Sequence, residues 1–242
     1  MEVARFSASR ISDLLAQGNG KTRQSYIYDL CLKTFGIDER RETAEMRHGL
    51  VNQYPAYEIL AKPFYDDAIW FDESILINEK CSASPDVLIG KWGTLDVKCP
   101  YHIDSYLDQI NSVPKKYFYQ VQMQMLASKV DVGYLLFYLT KPEIFGEDNW
   151  TEYPFPLERR YKLFEYKKDE MIHEEIMEAV EKFHPIKLDM IALLQSATTM
   201  EETEYFEHQM NGYAYRPLKE SSNILSLDSC VRVKDKFYYL KK

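Results

Sequence analysis

The sequence has few of the features that assign a chain to a specialised class. Its 242 residues contain no apolar run of about 18 residues, the length that a transmembrane helix needs. The N-terminal segment MEVARFSASR lacks the apolar core of a secretory signal. Internal repeats, low-complexity segments and a glycine-rich phosphate loop are also absent. These absences argue against a membrane or secreted protein, and we expect a globular protein of the cytoplasm.

Cysteine is scarce, and positive charge is outnumbered. The 4 cysteines are scattered and form no Cys-x-x-Cys pair, which favours a reduced intracellular protein over a disulfide or zinc framework. The 30 Lys and Arg residues face 38 Asp and Glu residues, which gives a net charge of −8. Non-specific coating of nucleic acid depends on Lys and Arg neutralising phosphates, so this balance argues against that role. The negative net charge does not exclude a nuclease, because a local basic groove can lie on an acidic protein.

The most informative stretch is CSASPDVLIGKWGTLDVKCP, from Cys81 to Pro100. It contains short apolar runs, and the glycines of Gly90–Gly93 predict a hairpin turn between two strands. Asp86 then enters the first strand. Strand alternation places Asp96 and Lys98 on one face of the second. Two carboxylates and one ammonium group are therefore expected to converge.

This trio suits metal-assisted phosphate chemistry. Carboxylates are hard oxygen ligands for Mg²⁺ or Mn²⁺, and such an ion lowers the pKa of water and neutralises phosphate charge. Lys98 would position or deprotonate the water, or stabilise the charge that develops. The competing interpretation is a surface hairpin with a solvated Asp–Lys pair.

Two helices are predicted to flank the hairpin. In the segment Glu45–Leu60 we expect Met46, Leu50, Tyr57 and Leu60 to face the core. A second helix follows residue 114. Its side chains at spacings i, i+3, i+4 and i+7 share one face: Tyr117, Gln120, Val121 and Gln124.

The remaining segments receive coarser predictions. Residues 101–114 are expected to form a polar connection, and residues 131–140 a buried strand. Residues 163–183 have the pattern of an amphipathic helix. Residues 231–240 alternate like strands, with a turn at Lys234-Asp235.

The motif resembles the core of the PD-(D/E)xK nucleases. The Ser before Pro-Asp and the Cys-Pro after the Lys are similar to one branch, the lambda exonuclease / YqaJ-type viral recombinase nucleases. Five marks occur in the family's order over the first three quarters of the chain: Ser7-Ala-Ser9, Gly49-x-x-x-Gln53-x-x-Ala56, Ser84-Pro-Asp86, Asp96-x-Lys98-Cys-Pro and Tyr117-x-x-Gln120-Val-Gln.

The resemblance implies an α/β (α+β) fold with a restriction-endonuclease-like PD-(D/E)xK core, a central mixed β-sheet flanked by helices. Residues 1–184 would form the exonuclease domain. The resemblance fades after His184, and residues 185–242 are expected to form a C-terminal extension of unassigned role that packs on the same domain. The implied catalytic residues are Asp86, Asp96, Lys98 and Gln53. The implied ligands of Mg²⁺, or of Mn²⁺ in its place, are Asp86, Asp96 and the Val97 carbonyl. The implied contacts to DNA and its 5′-phosphate are Ser9, Ser84, Gln120 and Tyr117.

The implied activity is 5′-to-3′ exonuclease digestion of linear double-stranded DNA in phage-type recombination. The implied setting is the cytoplasm of a bacterial host, with the gene carried by a phage or prophage. The implied partners are double-stranded DNA ends and a single-strand annealing protein. A ring-shaped homotrimer around DNA is also implied.

Two positions depart from the family pattern. Glu2 stands where the family has an arginine, and Gln53 stands where it has an active-site glutamate. An engineered substitution would also explain the amide. These departures keep open a catalytically impaired DNA-binding homologue, beside an endonuclease of the same fold. An iron–sulfur exonuclease would need three clustered late cysteines, and only Cys230 lies late in the chain.

Overall fold

A computed structural model describes residues 2–17, 20–37, 42–140, 153–196, 230–233 and 236–239. The strands in chain order are β1 (Phe6–Ser7), β2 (Ala68–Trp70), β3 (Ile75–Leu76), β4 (Cys81–Ala83), β5 (Val87–Ile89), β6 (Gly93–Lys98), β7 (Val132–Tyr138), β8 (Tyr161–Lys167), β9 (Cys230–Val233) and β10 (Lys236–Tyr239). The helices are α1 (Ile11–Leu14), α2 (Lys21–Thr34), α3 (Ala44–Ala56), α4 (Ile103–Asn111), α5 (Lys115–Ser128) and α6 (Glu170–Ser196). A π-helical turn over Tyr57–Ala61 continues α3, and 3₁₀ turns cover Ala8–Arg10 and Leu157–Arg159.

The chain divides into two compact units. One comprises Phe6–Ser12 and Arg40–Met177. The other comprises Met1–Arg5, Asp13–Glu39 and Glu178–Lys242. The C-terminal extension from residue 185 stays a prediction.

The first unit contains a five-stranded mixed sheet in the order β2-β5-β6-β7-β8. β6 and β7 run parallel, and the other neighbouring pairs are antiparallel. The predicted hairpin joins β5 to β6, with Gly90 at a φ of 52°, a conformation that glycine adopts at low cost. A smaller sheet pairs β4 with β1 in parallel and with β3 in antiparallel orientation. The predicted central mixed sheet is therefore present.

Alternation along β7 divides the core between the two faces of the large sheet. Leu136 and Tyr138 belong to a cluster with Leu95 and Val97 of β6 and with the end of α3. Residues 135, 137 and 139 belong to a second cluster with the apolar side chains of α4 and α5. Because side chains alternate along a strand, Asp96 on β6 points toward the α5 side.

A glycine permits the close approach of α5 to the sheet. A methyl group at Gly133 would overlap Cγ1 of Val121 and come within 3.0 Å of Met125 Cγ. We expect Gly133→Ala to lower the free energy of unfolding by about 1 to 3 kcal/mol, because overpacking forces the helix off the sheet. Urea unfolding measures this loss. Gly49→Ala is the control, since its methyl group would lie 3.9 Å from the Cys99 carbonyl oxygen and suits a helix. Equal stability of Gly133→Ala and wild type would contradict this packing.

Three details of the predicted elements were wrong. Residues 101–114 contain α4, whose Ile103, Tyr106 and Ile110 pack on the core and stabilise a helix that the intervening polar residues concealed. The predicted helix over 163–183 is β8 up to residue 167, and α6 begins at Glu170. Met46 and Leu50 are exposed, because the core contacts of this helix come from Ala56 onward.

The C-terminal strands β9 and β10 form an antiparallel pair, as their alternation predicted. The predicted turn at Lys234-Asp235 lies outside the described residues. Among the helices that the structure describes, none combines the length and apolar character needed to cross a membrane.

Candidate active site

The β5–β6 hairpin brings the two aspartates together. Val87 pairs with Leu95, so one further step of the same antiparallel register sets Asp86 opposite Asp96. Pro85 and Asp86 lie between β4 and β5, and Asp96 lies within β6. The convergence expected from strand geometry is therefore present.

Asp86 accepts hydrogen bonds from two directions. Its Oδ2 lies 2.6 Å from the backbone nitrogen of Val97 and 3.4 Å from Nε2 of Gln53. Burial raises the pKa of Asp86 to about 7, and the neighbouring charge of Asp96 adds to the rise. The Lys98 ammonium and the Val97 N–H oppose this shift. A negative charge on Asp86 is therefore unfavourable when no cation is present.

Asp96 is held by three donors. Its side chain is 1% exposed. Its Oδ1 accepts hydrogen bonds from Nε2 of Gln120 at 2.6 Å and from Nε2 of Gln124 at 2.8 Å. Its Oδ2 lies 2.5 Å from Nζ of Lys98. These contacts fix both oxygens of the carboxylate.

Lys98 is suited to act as a positive charge. Burial alone lowers its pKa, but the charges of Asp96 and Asp86 outweigh burial and raise the pKa above its ordinary value. Its side chain is 20% exposed. Of the roles that the sequence left open for Lys98, the environment favours charge stabilisation over proton abstraction.

Gln53 reaches this centre from α3. Its Nε2 donates a hydrogen bond to the Val97 carbonyl at 3.1 Å, in addition to its contact with Asp86. The structure thus gathers the proposed catalytic side chains and the proposed carbonyl ligand in one cluster: Gln53, Asp86, Asp96, Val97 and Lys98.

The predicted DNA contacts fall on neighbouring elements. The Tyr117 ring lies 5.3 Å from Nζ of Lys98 and 4.8 Å from Nζ of Lys116. Ser9 is exposed on the 3₁₀ turn after β1, and its Oγ lies 3.3 Å from Oγ of Ser7. Ser84 is exposed at the end of β4. Among these predicted DNA contacts, Gln120 donates a hydrogen bond directly to the Asp96 carboxylate.

Gln124 is a site residue to which the sequence assigned no role. It is fully buried, and its Nε2 donates to the Ser84 carbonyl at 3.2 Å as well as to Asp96. It therefore joins the segment before Asp86 to the strand that carries Asp96. The signal in the sequence was its spacing of four residues from Gln120, which places both amides on one helix face.

Arg5 and Arg10 lie near the position of the family's N-terminal arginine but do not occupy it, and Arg5 forms an ion pair with Glu2. Nη1 of Arg5 lies 2.6 Å from Oε1 of Glu2.

The donor set fits a hard divalent cation. Two adjacent carboxylates and a backbone carbonyl are oxygen ligands of the kind that Mg²⁺ binds, with water completing its coordination. Burial and, after it, the nearby charge of Asp96 raise the pKa of Asp86, as expected of a site that needs positive charge. In the described part of the chain, no group of three or more His, Cys, Asp or Glu side chains could hold a metal. An ion here would therefore depend on two carboxylates.

We expect Asp86→Asn to stabilise the metal-free protein more at pH 8 than at pH 5. The folded-state pKa of about 7 exceeds the ordinary value of 3.8, so folding binds a proton between these values and wild-type stability falls as pH rises toward 7. Asp86→Asn has no carboxyl group to titrate at this position, so its stability does not fall with pH for this reason. The difference in unfolding free energy, variant minus wild type, should grow by about 2 to 3 kcal/mol from pH 5 to pH 8.

Urea unfolding with a chelator at both pH values measures the difference. Asp104→Asn is the control, because Asp104 is an exposed carboxylate on α4. A difference that stays constant with pH for Asp86→Asn would show that Asp86 titrates normally.

Comparison with known proteins gives a family match. Residues 2–131, more than half of the chain, match the sequence model of the family described as YqaJ-like viral recombinase domain. None of the curated proteins matches the chain.

Solved structures show the same fold. The alkaline exonuclease LHK-Exo from Laribacter hongkongensis is 22% identical, with a TM-score of 0.64 over 80% of this chain and 93% of its own. A phage-related exonuclease from Haemophilus somnus 129PT is 17% identical, with a TM-score of 0.68 over 78% of this chain and 96% of its own. The predicted restriction-endonuclease-like core is thereby confirmed as the fold.

Proposed function

Because this chain belongs to the YqaJ-like viral recombinase domain family, we propose that it is a metal-dependent DNA exonuclease. It would digest linear double-stranded DNA from 5′ to 3′ in phage-type recombination. The observation that carries the proposal is the cluster in which the Lys98 ammonium lies beside the paired Asp86 and Asp96 carboxylates. The similar structure of LHK-Exo in complex with dAMP supports a nucleotide-binding role for this fold.

Asp86, Asp96 and the Val97 carbonyl would hold Mg²⁺, with Mn²⁺ as a substitute. When bound, the cation supplies positive charge to the scissile phosphate and lowers the pKa of water. Gln120 and Gln124 hold the Asp96 carboxylate in one orientation through hydrogen bonds to Oδ1. Lys98 stabilises the negative charge that develops on the phosphate.

The 5′-phosphate of a DNA end would bind between Ser9, Ser84 and Gln120, with Tyr117 at the edge of the site. The hydroxyl and amide groups donate hydrogen bonds to a terminal phosphate and so place the scissile bond. We further propose a homotrimeric ring around DNA and a single-strand annealing protein as partner, in the cytoplasm of a bacterial host.

A second candidate is a catalytically impaired DNA-binding homologue. The observation in its favour is the Gln53 amide, which adds no negative charge to the two carboxylates. An endonuclease of the same fold is the third candidate.

Digestion of linear and circular DNA, with Mg²⁺ or with a chelator, separates these functions. An exonuclease degrades the linear duplex in Mg²⁺ and leaves the covalently closed circle intact. Cleavage of the circle would show an endonuclease. Binding of the linear duplex without digestion in Mg²⁺ or Mn²⁺ would show an impaired homologue.

A further inference from the structure

We propose that the Gln53 amide substitutes for a cation in the metal-free site, so that a metal ion binds only when this amide is displaced. The inference rests on the proposed function. It concerns how readily the site is loaded and which residue controls the loading.

One nitrogen contacts both oxygen groups that a metal would need. Nε2 of Gln53 lies 3.1 Å from the Val97 carbonyl oxygen and 3.4 Å from Oδ2 of Asp86. The same Oδ2 lies 2.6 Å from the Val97 nitrogen. The amide therefore closes a small network in which both proposed ligands already accept hydrogen bonds.

The orientation of the amide follows from the chemistry of its neighbours. A backbone carbonyl and a carboxylate are both acceptors, and only the NH₂ end of a glutamine donates. A turned amide would set Oε1 against two oxygen atoms and would lose both hydrogen bonds of Gln53. The donor end consequently faces Asp86 and Val97 when no cation is present.

The two states of the site exclude one another. Once the Val97 carbonyl and Asp86 face a cation, the NH₂ group of Gln53 loses both acceptors and opposes the positive charge. The backbone cannot move far, because α3 continues into buried Ala56 and Tyr57. Displacement must come from side-chain torsions that withdraw the amide from both oxygens.

A glutamate at this position would behave differently. It could not donate to either oxygen, and it would add a third negative charge beside Asp86 and Asp96. The metal-free site would then be repulsive and the loaded site more stable. The glutamine reverses this balance and stabilises the metal-free form.

Calorimetric titration with Mg²⁺ alone, without DNA, tests the proposal through binding itself. Gln53→Leu removes both hydrogen bonds and supplies no oxygen ligand. If the amide competes with the cation, Gln53→Leu binds Mg²⁺ about 5- to 30-fold more tightly than wild type, which corresponds to one or two ordinary hydrogen bonds. Asn52→Leu is the matched control, because its amide donates to the His48 carbonyl and not to the site. It should bind Mg²⁺ like wild type.

Weaker binding by Gln53→Leu would show that the amide oxygen is a ligand and would overturn the proposal. Equal Mg²⁺ affinity of Gln53→Leu and wild type would show that the amide does not compete with the cation, and this result would also overturn the proposal. If neither wild type nor variant bound Mg²⁺ or Mn²⁺, the proposed metal dependence itself would fail.

Gln53→Glu provides a measurement that remains informative if the leucine variant does not fold. With a chelator, its melting temperature should fall by several degrees below wild type, because two hydrogen bonds are lost and a charge is added. Saturating Mg²⁺ should restore it. An unchanged melting temperature in the chelator would contradict a stabilising role of the amide.

Discussion

Lys98→Ala lowers the turnover of DNA cleavage by about 10²- to 10³-fold, the loss typical of a preorganised group that stabilises developing charge. The raised pKa keeps Lys98 protonated, and its Nζ lies 2.5 Å from Oδ2 of Asp96. The ammonium group of Lys98 is therefore charged and held in place before the DNA phosphate binds. Because it acts on charge that develops in the transition state, kcat should fall more than KM rises.

The fold should survive this substitution, because Oδ1 of Asp96 keeps its hydrogen bonds from Gln120 and Gln124. Circular dichroism and the melting temperature check that survival. Lys91→Ala is the matched control, since Lys91 is exposed at the turn of the same hairpin. Cleavage by Lys98→Ala at the wild-type rate would mean that Lys98 is not part of the catalytic centre.

The sequence predicted the aspartate pair because the information is local. Nine residues separate Asp86 from Asp96, and a turn with two glycines fixes the register between their strands. Period-two alternation then determines which face carries Asp96 and Lys98. Geometry of this kind needs no knowledge of distant parts of the chain.

The roles of the amides could not be predicted in this way. Gln53 meets the Val97 carbonyl across 44 residues of sequence, and Gln124 meets the Ser84 carbonyl across 40. A glutamine in a helix is typical of a solvated face. Gln124 is buried because α5 packs on the sheet, and this packing cannot be inferred from the sequence. The only sequence pattern that indicated the donors around Asp96 was the four-residue spacing of Gln120 and Gln124.

The exposure of the apolar side chains of α3 could not be predicted from the sequence pattern either. Periodicity identified Met46 and Leu50 as an apolar face of α3, but not what that face contacts. In the structure these side chains are 53% and 66% exposed, whereas Tyr57 and Leu60 are buried. The apolar pattern predicts which face of α3 is apolar. How many turns of that face are buried depends on how far the sheet extends beneath the helix.

The parallel pairing of β1 with β4 is a further long-range feature, and it supports the proposed phosphate site. Phe6 pairs with Cys81, and Ser7 pairs with Ser82. Two residues beyond the second pair lie Ser9 and Ser84, at the same end of the two strands. The 3₁₀ turn that carries Ser9 also packs against α5, the helix of Gln120. Elements distant in sequence therefore bring the three proposed donors to one region.

A duplex with a 5′-phosphate should consequently be digested about 10- to 100-fold faster than the same duplex with a 5′-hydroxyl. A hydrogen bond to a charged group contributes about 1.5 to 3 kcal/mol, and the uncharged end would lose at least one such bond. Matched labelled duplexes that differ only at the 5′ end measure the ratio under single-turnover conditions. Ser9→Ala should reduce the ratio, because the variant loses a donor that only the phosphorylated end uses.

Ser112→Ala is the matched control for Ser9→Ala, since Ser112 is an exposed serine just after α4 and should leave the ratio unchanged. The comparison separates end recognition from general DNA binding, because both duplexes present the same internal phosphates. Equal digestion of the two ends by wild type would remove the basis for a 5′-phosphate site. The carboxylate–lysine centre would then cleave without reading the terminus, as an endonuclease does, and the donors of Ser9 and Ser84 would need another ligand.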